Sequence, residues 1–104
     1  MRSSRKLVVS PTARADLVSI HRYIAEDSPA AADRFIDQLG AKLDAIASSR
    51  SSGVPRDWLA PALRASIHGR YAIYFLVEPT EVLIVRILHG ARDIGPEDFA
   101  STDS

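Results

Sequence analysis

From Pro11 to Ser48 the chain places an apolar residue every three or four positions. From Leu63 to His89 it changes to apolar runs broken by short polar turns. The first pattern is that of amphipathic helices and the second that of strands. Ala13, Leu17, Ile20 and Ile24 follow one another at spacings of 4, 3 and 4, which is a single helical face. Arg14, Asp16, Ser19, Arg22 and Glu26 fall mostly off it. Ser10-Pro11 marks the start, because serine accepts from orphan backbone N–H groups and proline fits the first turn. The same signal recurs at Ser28-Pro29, and Ala32, Phe35, Ile36, Leu39, Leu43 and Ile46 trace a second stripe to about Ser48. Asp33 lies in the first turns, where the helix dipole favours an anion. Gly40, inside this helix, costs up to about 1 kcal/mol relative to alanine. Either a close crossing with the first helix or plain tolerance would account for it. The short turn around Asp27-Ser28 makes the two helices an antiparallel hairpin.

Leu7-Val8-Val9 reads as a first strand. Ser48-Ser49-Arg50-Ser51-Ser52-Gly53-Val54-Pro55 is a loop by composition, after which Trp58, Leu59 and Leu63 anchor the chain. Three strands follow, at about Leu63 to His68, about Tyr71 to Val77, and Val82 to His89. Gly69-Arg70 and the Glu78–Glu81 stretch are their turns. Pro79 sits in a turn, where it removes no ladder bond. The order β-α-α-β-β-β predicts an α+β fold: a mostly antiparallel sheet with a helical hairpin on one face. Residues 1–104 form one domain, with flexible ends expected at 1–5 and 95–104. Ile94 and Phe99 are the only apolar anchors in the polar tail.

Simple alternation puts Ile73, Phe75, Leu83, Val85 and Ile87 under the helices. It leaves Tyr74, Leu76, Ile84, Arg86 and Leu88 on the opposite face. That mixture is too apolar for a solvated face and too polar for a core, so it reads as a contact surface. Arg86 would lay its stem over apolar neighbours there and hold its head in water or on a partner. The alternative is a tail that folds back, with Phe99 over the patch and Arg86 paired to a tail acid.

Composition narrows the classes. No cysteine means no disulfide, thiol nucleophile or cysteine-bound zinc. Thirteen basic and thirteen acidic residues cancel, which argues against strong non-specific nucleic-acid binding. The charge is nevertheless uneven: residues 50–92 carry +3 and residues 93–104 carry −4. No apolar run approaches the roughly 20 residues of a membrane span. The basic start, Met1 to Lys6, is not followed by a long apolar stretch. A signal peptide is therefore not expected, and the expected location is the cytoplasm. His21 borders an apolar stripe, His68 precedes a turn, and the three histidines lack metal-ligand spacing. There is no phosphate-binding glycine loop and no Gly-x-Ser-x-Gly, and no cofactor is expected.

The element order, the Ser10-Pro11 start, the Arg70–Val77 strand and the closing Val85-Arg86-Ile87-Leu88-His89-Gly90-Ala91-Arg92-Asp93 resemble the RelE/ParE toxin superfamily of type II toxin–antitoxin systems. The closing motif is most similar to the ParE branch. The resemblance covers about residues 6 to 94. It implies a toxin silenced by a cognate, ParD-like antitoxin whose flexible C-terminal segment wraps it. It also implies one of two activities: binding DNA gyrase, as ParE members are implicated in doing, or cleaving mRNA on the ribosome, as RelE members do.

Such cleavage needs proton-transfer groups and cations for the phosphorane. Arg92 falls where RelE-type toxins have a late basic residue. Their early strand arginine falls at Tyr71, beside Arg70, and their C-terminal catalytic tyrosine at about Asp98 or Phe99. Only Lys6 and Lys42 stand for their lysine cluster. These departures favour the gyrase-binding reading over RNA cleavage. A toxin-like fold that only binds an antitoxin is a third reading. His89, Arg92 and Tyr74 are the candidates for a nuclease site. Arg64, Arg70, Tyr74, Leu76, Ile84, Arg86 and Leu88 are the candidate partner-binding residues. Leu17, Ile20, Phe35 and Leu39 read as core.

Overall fold

The computed structural model describes residues 5–48 and 53–99; of the ends expected to be flexible, 1–5 and 95–104, residues 1–4 and 100–104 lie outside the described residues, as do residues 49–52 of the serine-rich loop. Strand β1 is Lys6–Val9 and helix α1 is Pro11–Ala25. Ser10 caps α1 as its sequence position foretells. Its Oγ accepts from the Ala13 N–H at 3.0 Å and donates to the Val85 carbonyl at 3.0 Å. One buried hydroxyl thus starts the helix and ties it to a distant strand. Helix α2, Pro29–Ser48, starts in the same way, with Ser28 Oγ accepting from the Ala31 N–H at 3.1 Å.

The remaining elements are β2 (Val54–Pro55), β3 (Arg64–His68), β4 (Tyr71–Val77), β5 (Glu81–His89) and a 3₁₀ turn at Pro96–Phe99. The sheet order is β1-β5-β4-β3-β2, with β1 parallel to β5 and every other pair antiparallel. The α+β reading holds. The last strand in sequence is interior, flanked by the first strand, at the edge, and by β4.

A core lies on each face of the sheet. Under the helices, Ala13, Ile20, Leu39, Leu43 and Ile46 meet Ile73, Phe75, Val82, Ile84 and Ile87. Below the sheet, Ala65, Ala72, Tyr74, Val85 and Leu88 meet Leu59, Leu63 and Phe99. The prediction of a bare underside is corrected here. Two non-strand segments, around Leu59–Leu63 and Ile94–Phe99, cover it. Residues 95–99, expected to be flexible, form the 3₁₀ turn that buries Phe99.

The face assignments in β5 also change. Tyr74 pairs with Arg86 while Phe75 pairs with Ile84, so Val85 is an extra residue in β5. This β-bulge breaks strict alternation. Ile84 turns to the helices, and Leu83 and Val85 turn to the underside. Gly40 has no heavy atom within 4 Å of where a Cβ would stand, so tolerance rather than a close helix crossing explains it.

Candidate functional site

The bulge aims Arg86 at two parts of the chain. Its Nε donates to Asp16 Oδ2 at 2.9 Å and its Nη2 to Asp16 Oδ1 at 2.9 Å. The Asp16 carboxylate also accepts from the Ile87 N–H at 3.0 Å. Asp16 stands on α1 beyond the end of β1, so it supplies the acceptor that a continued β1 would have given β5. Arg86 Nη1 reaches the Asp98 carbonyl at 3.3 Å. The Asp98 carboxylate accepts from Arg92 Nη2 at 2.7 Å and from the Gly95 N–H at 3.0 Å. Those bonds, the Gly95 N–H first among them, hold its carboxyl below the usual aspartate range. The hydrogen bond to Asp16 strengthens the proton affinity of Arg86. The charge of Arg86, set in a β-branched run, is thus paired bidentately at the seam of three segments.

A second arrangement lies at the open end of the sheet. His68, Tyr71 and His89 are register partners on β3, β4 and β5. Tyr71 and His89 meet edge to face with centroids 5.2 Å apart. Phe35 of α2 lies 5.4 Å from both His68 and Tyr71. Burial raises the Tyr71 phenol, and so does the nearby Tyr23. The turn between β3 and β4 has φ +61° at Gly69, its first central residue, as a II′ hairpin requires.

The three nuclease candidates do not converge. Tyr74 is buried on the underside, 5.1 Å from the Phe99 ring, and burial raises its phenol. His89 lies on the other face, against Tyr71, and its Nδ1 accepts from the Ala91 N–H at 3.0 Å. Arg92 is held by Asp98. No group of three or more metal-ligating side chains occurs among the described residues. No helix of the described residues is long and apolar enough to cross a membrane.

Comparison with known proteins decides the family. The model of the ParE toxin of the type II toxin–antitoxin system parDE matches residues 7–94. The chain belongs to the ParE toxin family. This ParE-family toxin is 31% identical over 87 residues to Toxin RelE3 of Caulobacter vibrioides, covering 82% of this chain and 94% of that one. Its fold is similar to a chain of the chromosomal ParDE toxin–antitoxin system from P. aeruginosa, with TM-score 0.71 and 21% identity. That match covers 83% of this chain and 96% of the other. A type II toxin has an antitoxin partner, so the toxin is one half of a pair.

Among the candidate partner-binding residues of the toxin, Arg70 is exposed at the β3–β4 turn. Arg64 is half-buried, and its Nη2 donates to the Gly53 carbonyl at 3.0 Å. Leu76 is half-buried beside the underside core. Ile84 and Leu88 are buried, in the helix-side and underside cores respectively, and so are not open surface. Asp16 and the ring row were missed from the sequence. The row had a readable signal, because residues flanking a two-residue turn face each other, which pairs His68 with Tyr71. His21, read as structural, joins the two helices through Asp33 at 2.9 Å.

Proposed function

We propose that this ParE-family toxin arrests growth in the cytoplasm by binding DNA gyrase, and that a ParD-like antitoxin encoded with it neutralises it. The observation that supports a binding toxin is the separation of Tyr74, His89 and Arg92. Tyr74 lies inside one core, His89 stands on the opposite face, and Arg92 is committed to Asp98. General acid–base cleavage of RNA needs such groups within hydrogen-bond reach of one scissile phosphate. A wide contact surface makes no such demand. The test is supercoiling by purified gyrase with the toxin added, then with toxin and antitoxin together. Inhibition by toxin alone, relieved by the antitoxin, is the expected result. Undisturbed supercoiling at toxin excess would defeat the reading.

A second reading, ribosome-dependent mRNA cleavage, is favoured by one observation. His68 and His89 flank Tyr71 in a single row, and imidazoles serve well as proton-transfer groups. Primer extension on mRNA after induction separates the two readings. Cuts positioned by codon, lost in the His89→Ala, Arg92→Ala double variant, would establish the second and end the first. Induction without growth arrest would leave antitoxin binding as the sole activity.

A further inference from the structure

We propose that residues 94–99 are a strap over the underside of the sheet, and that its closure is set from helix α1 through Arg86. The strap is short and lightly built. Its anchors include one 3₁₀ turn, Ile94 and Phe99 against the underside core, and the bonds that converge on Asp98. Short irregular segments held by a few side chains open locally, well before the fold does. Opening this one uncovers Tyr74, otherwise buried, at the face where Phe99 meets it. The inference does not depend on whether the toxin's target is gyrase or mRNA.

The coupling follows from how the donors of Arg86 are divided. Two of them fix the guanidinium plane on Asp16, and a third, in the same plane, meets the Asp98 carbonyl. A guanidinium is rigid, so seating the fork on α1 decides where the third donor points. Asp16 is therefore a positioning residue for a strap it does not touch. Anything that shifts α1 at Asp16 loosens the cover on the far side of the sheet. Arg92 closes the strap independently, through the Asp98 carboxylate.

The experiment is residue-resolved hydrogen exchange on the intact protein, followed at the Gly95 and Asp98 amides and at amides of β4. Both strap amides donate within the strap, Gly95 to Asp98 Oδ2 and Asp98 to the Gly95 carbonyl. In Asp16→Asn the strap amides are expected to exchange about tenfold faster, the factor one charge-assisted hydrogen bond supplies. The β4 amides exchange through global unfolding and report the loss of overall stability separately. Arg86→Lys keeps the charge but loses the fork, and should reproduce the effect if Asp16→Asn folds poorly. A merely structural role for Asp16 would accelerate β4 and leave the locally opening strap amides at the wild-type rate. Strap exchange unchanged from the wild type overturns the proposal.

Discussion

Arg86 and Asp16, 70 positions apart, make a two-pronged ion pair with both bonds at 2.9 Å. The two side chains are 15% and 13% exposed, so the pair is largely withdrawn from water. Removing one partner of such a pair leaves a carboxylate with too few donors. Arg86→Ala is expected to cost about 3 kcal/mol. For a domain of this size that lowers Tm by on the order of 15 °C. Urea denaturation with both partners mutated, run as a cycle, would show the coupling.

Two glycines should respond in opposite ways. Gly40→Ala meets open space in the middle of α2 and is expected to stabilise by up to about 1 kcal/mol. Gly53 has φ +70°, and an added Cβ would collide with the Ala65 carbonyl. Gly53→Ala should destabilise by about 2 kcal/mol or more, with β2 displaced from β3. Thermal melts of the two variants check both signs.

The depressed Asp98 carboxyl makes the strap sensitive to acid. Its folded pKa lies below its unfolded value of about 3.9. Its contribution is therefore complete above that value and is lost as pH falls through the lower folded one. Hydrogen exchange at the Gly95 and Asp98 amides, referred to their intrinsic rates, should show protection falling as pH drops through that range, before β4 loses it. In Asp98→Asn the same amides should already be poorly protected at neutral pH and change little with acid. Equal protection in both proteins across the range would contradict this.

Phe75 and Phe99 are both buried, but they belong to units of different stability. Phe75 stands under the helices, and Phe75→Ala should cost about 3–5 kcal/mol. Phe99→Ala should cost distinctly less, because the strap can detach without unfolding the sheet. Urea midpoints of the two variants give the comparison.

The elements were legible because their signals are local. Ser-Pro pairs started both helices, Gly69-Arg70 closed one hairpin, and Glu78–Glu81 closed the other. The parallel docking of β1 beside β5 has no local signal, and neither does a two-residue strand such as β2. Alternation in β5 slips at the bulge at Val85: Ile87 and Leu88, beyond it, stand on the faces the pattern predicts, while Leu83, Ile84 and Val85 stand on the opposite ones. The underside looked like contact surface because Tyr74, Leu76 and Leu88 are apolar. The chain's own cover, anchored by Phe99 and Leu59, is a tertiary event that periodicity does not record. Arg86 was singled out correctly as anomalous, but its partner came from a helix face that reads as ordinary polar surface.

The place of β5 between β1 and β4 has a kinetic corollary. The helical hairpin and the β3–β4–β5 meander each join neighbours in sequence, and such units assemble on their own early timescales. Ser10, by contrast, finds Val85 across 75 positions, and β1 has no neighbour in the sheet until β5 is in place. Contacts of such long sequence separation form after the local units that frame them, beyond the folding barrier. Refolding should thus end with the amino-terminal strand, and substitutions in Leu7 to Val9 should speed unfolding while leaving the refolding rate nearly untouched.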